Sequence, residues 1–152
     1  GFTQALLDLA GNAAEGIYGV FPTASWGDDV PGMAKMTEYC QRYHPESYGN
    51  MDYIYCWAEG LIIAEILRLA VEYVGVENID ALTPQIVEEH GFKNLNNFDP
   101  GGLHGPVSYV PGDNRLATSV RAFQEQGGAM EAVSGWVEAP VIMYEQFPWF
   151  GN

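Results

Sequence analysis

Acid–base or metal chemistry in this chain would have to come from His44, His90, His104 and Glu59. The histidines lie far apart and lack the HxxxH or HxH spacing that puts two imidazoles on one ion, so they read as structural and no metal site is expected. His44 follows a helix end and His90 sits in the last turn of another, where a cation is favourable. Ser25, Ser47, Ser108, Ser119 and Ser134 have no GxSxG context, so none is a nucleophile on an elbow. Asp99-Pro100-Gly101-Gly102 lacks the Lys-Ser/Thr of a phosphate loop and reads as a turn. Glu88-Glu89 is a solvated helix face. Glu59 stands apart: on a helix it points about 120° away from Glu65, Arg68 and Glu72. It therefore lies in a crevice or pairs with Arg42, Arg115 or Arg121, and a structural ion pair is the favoured expectation. Tyr53, Tyr55 and Trp57, with Phe21 and Trp26, could line an apolar ligand pocket or simply form core. Nothing here calls for a cofactor.

The element that must position most of these residues is the stretch from Asp52 to Gly75, DYIYCWAEGLIIAEILRLAVEYVG. Glu65, Arg68 and Glu72 fall at steps of three and four and share one narrow stripe of a helix. Leu61, Ile62, Ile63, Ile66, Leu67, Leu69, Ala70 and Val71 leave the rest of the circumference apolar, so the helix is expected to be covered on most sides. Its charges make it too costly for a membrane span.

The chain has 152 residues, 47% of them hydrophobic, enough for one core of ordinary size. A net charge of -14 argues against nucleic acid and anionic membrane surfaces, because affinity for phosphate comes from Lys and Arg. Cys40 and Cys56 are an even pair, compatible with a disulfide in an exported protein and equally with two free thiols. No secretory leader precedes Gly1-Phe2-Thr3, as expected of a cytoplasmic protein or of a processed or partial chain.

In order, Thr3 caps a short helix from Gln4 to Ala10, and Gly11 ends it. Ile17 to Phe21 reads as a buried strand stopped by Pro22. Thr23 to Gly27 is a loop. Asp28 or Asp29 then caps a helix with Pro31 in its first turn, running to Tyr43 before Pro45. His44 to Asn50 is a polar turn into the central helix. Thr83-Pro84 opens another helix, closed by Gly91. Lys93 to Gly105 is turn-rich, Pro106 to Val110 a short strand, and Pro111 to Asn114 a turn. Leu116 to Gln126 is a strand with Val120, Ala122 and Gln124 on one side. Gly127-Gly128 turns it into a partner strand from Met130 to Val137. The tail from Ala139 to Asn152 is apolar and aromatic and should pack on something. Helices with few strands indicate an α/β or α+β class, with fewer strands than a self-contained doubly wound sheet needs.

Taken together, these segments resemble a known family. LAGNAAEGIYGVFPTASWGDD (Leu9 to Asp29), DYIYCWAEGLIIAEILRLA in the central helix and LHGPVSYVPGDNRLATSVRAFQEQ…VSGWVEAP (Leu103 to Pro140) follow the order found in type I periplasmic solute-binding proteins. These serve branched-chain amino acid ABC transporters. Trp57-Ala58-Glu59 stands where the family usually has a Tyr-Asp-Ala-like segment. The resemblance implies an α/β fold of two lobes joined by crossing strands, of which this chain is the C-terminal portion. Residues 1–22 would end the second lobe, 23–27 would cross, 28–115 would belong to the first lobe, and 116–152 would return to the second with a closing β-hairpin. It further implies no enzymatic activity, a periplasmic or extracellular location, a small amino acid-like, aromatic or amide solute held in the cleft, and an ABC permease as partner. An N-terminal portion of the same protein would carry most ligand contacts. Trp26, Tyr53 and Tyr55 are the residues here expected near the cleft. Two rivals stand beside it: a sensory domain of the same fold, and an α/β enzyme using Glu59 or a histidine as acid or base.

Overall fold

The computed structural model describes residues 3–112, 115–116 and 119–139. Helix α1 spans Gln4–Ala10. Thr3 precedes it in extended conformation, and its carbonyl, not its hydroxyl, takes the first N–H groups, from Leu6 (3.0 Å) and Leu7 (3.4 Å). Gly11, at φ 51°, ends the helix. Strand β1 (Tyr18–Phe21) follows. The strand expected here was a buried one, whereas Tyr18 is 66% and Val20 61% exposed. An apolar run does not say which faces are covered, and β1 packs through one face only.

Helix α2 runs Met33–Tyr43, starting later than the capping pattern suggested. Asp28 does not cap it. The Asp28 carboxylate instead accepts from the Ser25 amide (2.8 Å) and from the guanidinium of Arg121. Gly32 comes before the first turn, its N–H bound to the Gly101 carbonyl at 2.8 Å. After a 3₁₀ turn at Pro45–Ser47, the Asn50 side chain accepts from Asp52 N (2.8 Å) and caps α3 (Met51–Val74). Gly75, at φ 82°, ends α3 by returning its N–H to the Val71 carbonyl. Arg68 bonds Glu65 and Glu72 along the exposed stripe, at 2.7 and 2.8 Å. Met51, Ile54, Ala58, Ile62 and Ala70 form the buried face. The expectation of nearly complete cover is corrected: among the described residues Ile63 remains 57%, Leu67 42% and Tyr73 60% exposed.

The Thr83 hydroxyl accepts from Ile86 N (3.3 Å) and opens α4 (Pro84–Ile86). This helix widens into a π turn at Val87–Gly91, packed on α3, and tightens into a 3₁₀ turn at Phe92–Asn94. The strand expected at Pro106 to Val110 is reduced to isolated bridges, among them the reciprocal pair of Phe98 with Val107, both bonds 2.9 Å. Strands β2 (Ser119–Gln126), β3 (Ala129–Ala132) and β4 (Val137–Glu138) complete an antiparallel sheet, in which β2 pairs with β1, β3 and β4. The Gly127-Gly128 hairpin forms with φ 63° and 91°. The return strand is interrupted, because the Ser134 hydroxyl takes the Ala122 N–H (2.8 Å) where a backbone carbonyl would continue the ladder. Residues 113–114 of the turn and 140–152 of the tail lie outside the described residues.

Alternation along β2 sends Ser119, Phe123 and Glu125 inward. Phe123 joins Leu7, Met33, Met36, Met51, Ile54, Leu103 and Met130 in one core that links sheet and helices. Buried Glu125 is satisfied by backbone: its carboxylate accepts from Gly128 N (2.6 Å) and Gly16 N (3.2 Å). A second cluster, Ile62, Leu95 and Val107, lies farther along α3. The assembly is α/β in class.

Candidate functional site

The first turns of α3 divide the aromatic residues into two groups. Two helical steps rotate a side chain by about 200°, so Tyr53 and Tyr55 face opposite sides. On one side, Tyr53 lies 6.1 Å from Trp26 and 6.3 Å, nearly parallel, from Trp57. Trp26 is fixed by its indole N–H, donated to the Asn50 carbonyl at 2.9 Å, and by the Tyr48 ring at 4.8 Å. On the other side, Tyr55 meets Phe21 at 5.7 Å and His104 at 6.4 Å. The three residues expected to share a cleft are thus split, with Trp26 and Tyr53 together and Tyr55 apart.

Each side opens on a hollow. Beside Trp26 is one of about 230 Å³, walled by Ser25, Trp26 and Met51 and, across from them, by the β2–β3 hairpin from Gly128 to Glu131, with Gln4 of α1 at its margin. The Ser25 hydroxyl is buried with no hydrogen-bond partner among the described residues, and so is that of Thr23 close by. A buried hydroxyl left unpaired costs about 1–3 kcal/mol, so a group that pairs with it gains accordingly. The Gln4 amide adds further polar capacity, with amide and hydroxyl able to meet an acid group.

Beside Tyr55 is a hollow of about 620 Å³, lined by Ile62, Ile66, Phe92, Val107 and Leu116, with Glu59, His104 and Arg115 toward its polar end. Tyr55 hydrogen-bonds the Glu59 carboxylate, and this bond, then burial, pushes the phenol up to about 12. The ion pairs considered for Glu59 with Arg42 and Arg121 do not form: Arg121 is engaged by Asp28, and Arg42 lies over the Tyr43 ring. His104 is buried; its Nδ1–H donates to the Gly105 carbonyl at 2.7 Å, and burial holds its pKa below the usual histidine value. The larger hollow is continuous with the uncovered face of α3, and its walls belong to the second core cluster. It is therefore unfinished packing surface, and the smaller, polar hollow at Trp26 is the better candidate for a ligand.

His44, His90 and His104 are not brought together, and among the described residues no group of His, Cys, Asp or Glu is placed to hold a metal. Cys40 and Cys56 are both free, so the bridge weighed from sequence is not formed. Cys40 is buried at the end of α2, its thiol donating to the His44 carbonyl at 3.4 Å and pushed up in pKa by burial, whereas Cys56 is exposed. Sequence reasoning missed Ser25 and Gln4, since separate elements carry them. The clue available was the position of Ser25 beside Trp26 in the loop at 23–27.

Two connecting segments run behind this hollow. Thr23 bridges His104, and Ala24 donates to the Leu103 carbonyl at 2.9 Å, so the chain entering the helices is laced to the chain leaving them. No helix among the described residues is long and apolar enough to cross a membrane.

No protein-family model matches the sequence, and no curated protein matches it significantly. Among solved structures, the chain is similar to a branched-chain amino acid ABC transporter protein from Thermus thermophilus with bound valine. The TM-score is 0.69 at 22% sequence identity, over 90% of this chain and 37% of that one. This chain thus spans little more than a third of the length of the structure it matches. Its architecture is that of part of the fold of that protein.

Proposed function

We propose that this chain is the C-terminal part of an extracytoplasmic solute-binding protein that delivers an amino acid-like, aromatic or amide solute to an ABC permease. The observation that carries it is the hollow at Ser25 and Trp26, which combines a fixed aromatic wall with an unpaired buried hydroxyl. It lies between the β2–β3 hairpin and the helices, next to the laced connecting segments. The fold shared with a valine-bound transporter protein supports the same assignment. In it, residues 1–22 and 116–152 belong to one lobe and 28–115 to the other, and residues 23–27 cross between them. An upstream portion of the same protein completes both lobes. Ligand contacts to both lobes favour the closed form, and closure is how the bound state is presented to the permease.

The test is calorimetry and thermal shift on the full-length protein with valine, leucine, aromatic acids and their amides. One of these should bind, and Trp26→Ala should weaken it at least about tenfold, the loss of one well-packed aromatic contact. Tyr55→Phe should leave affinity within about twofold. If no solute binds and Glu59→Gln instead abolishes a turnover, the transport assignment falls and the hollow at Tyr55 becomes an active site.

A further inference from the structure

The two walls of the hollow at Trp26 come from distant parts of the chain, and one ion pair links the segments that form them. Ser25 and Trp26 stand on one wall, in the loop before α2, and residues 128–131 of the β2–β3 hairpin form the other. Asp28 Oδ2 accepts the Ser25 N–H at 2.8 Å and also a guanidinium N–H of Arg121, while Asp28 N–H returns to the Ser25 carbonyl at 3.1 Å. Arg121 lies on β2, and the ladder carries its position to the far wall. Gln124 pairs with Glu131 and Glu125 with Met130, and the Glu125 carboxylate fixes the turn through Gly128 N at 2.6 Å. Arg68 and Lys93 make their ion pairs within one helical stretch, where such pairs are worth little. The Asp28–Arg121 pair is part-buried and joins loop to sheet.

We propose that Asp28 is a positioning residue for this hollow: through Arg121 it sets the spacing between the Ser25–Trp26 loop and the hairpin, and with it solute affinity. The inference rests on the assignment of this hollow to a solute. A site that is assembled only while a contact holds binds more weakly in proportion to the time the contact is lost. With the pair intact, the wall bearing the Ser25 hydroxyl and the Trp26 ring is held opposite the hairpin. With Asn at position 28 the loop keeps its own turn, because the amide oxygen still accepts from Ser25, but the charge that holds it to β2 is gone.

Calorimetric titration of the full-length protein with valine, leucine, benzoate and benzamide tests this. Asp28→Asn and Arg121→Met should each weaken the solute that the parent binds by about threefold or more, and the double variant should lose no more than the worse single, since both remove one contact. Arg121→Lys should bind more tightly than Arg121→Met, because it keeps a cation for Asp28 on a side chain of similar length. Thr83→Ala removes the cap of α4 and only destabilises, so it should leave affinity within about twofold. Equal affinity in the parent, Asp28→Asn and Arg121→Met overturns the inference and leaves the solute assignment standing. A loss that Thr83→Ala reproduces is one of stability and overturns it too. A parent that binds none of these compounds removes the assignment, and the inference with it. Should Asp28→Asn fail to fold, Arg121→Lys and Arg121→Met decide: a tighter Arg121→Lys supports the inference, and equal affinities refute it.

Discussion

Replacing Asp28 by Asn should be expensive out of proportion to its place in a loop. The carboxylate ties two distant parts of the fold: it closes the Ser25–Asp28 turn through the Ser25 amide and holds Arg121 of β2, 93 positions away. The Arg121 side chain is 15% exposed and that of Asp28 30%. An exposed pair is worth about 0.2–1 kcal/mol, and removing one partner of a fully buried pair costs about 3–5. With this intermediate burial, Asp28→Asn should cost about 1–3 kcal/mol, since among the described residues Arg121 keeps the Ser134 carbonyl and the faces of Phe123 and Trp136. For a domain of this size that lowers Tm by roughly 2–4 °C per kcal/mol. The amide oxygen of Asn can still accept from Ser25, which confines the loss to the ion pair. Urea titration of the parent, Asp28→Asn, Arg121→Met and the double variant gives the coupling free energy directly. A coupling below about 0.5 kcal/mol, the worth of a surface pair, would refute the idea that this contact clamps the loop at 23–28 to the sheet.

Glu125→Ala should destabilise by about 2 kcal/mol or more, because the Gly128 and Gly16 amides lose a buried acceptor; denaturant midpoints check it, and Glu125→Gln should recover part of the loss. Buried His104 is held below its unfolded pKa of 6.5, chiefly by burial, while the Gly105 carbonyl and Glu59 act in the opposite sense. Tyr55, Glu59 and Arg115 share its cleft. Its contribution to stability is therefore complete above about pH 6.5 and is lost as pH falls through the folded value, so Tm plotted against pH should drop on the acid side and His104→Asn should flatten that drop. An aromatic disulfide reagent should titrate one thiol, Cys56, in the native protein and both only in denaturant; a native protein with no reactive thiol would contradict the free state of the pair.

What could be read from sequence was local. Thr83-Pro84 opens its helix and Gly11 and Gly75 close theirs because caps depend on neighbours within one turn. Asp28 looked like a cap and is not, because its stronger partner, Arg121, is remote in sequence. The apolar run at β1 could not announce that one face lies open, nor could Ser134 announce that its hydroxyl would interrupt the return strand. The opposite directions of Tyr53 and Tyr55 follow from helix geometry alone and were available without coordinates. Ser25 was not, since its significance lies in a buried hydroxyl that finds no partner among the described residues, beside a hollow whose far wall comes from the other end of the chain.

The two hollows also show why size is a poor guide to function in this chain. The larger has the features usually sought, apolar walls and a few converging polar groups with a displaced phenol and imidazole. Yet those displacements have local structural causes: Tyr55 is bonded to Glu59 one turn along the same helix, and burial beside Thr23, which it bridges, holds the His104 pKa below the usual histidine value. The apolar walls run on into Ile63 and Leu67, exposed on a helix whose opposite face is core. An apolar surface that spreads along a helix asks for another layer of chain, whereas a polar atom sealed without a partner asks for a ligand. Only the smaller hollow, at Ser25 and Trp26, makes the second demand.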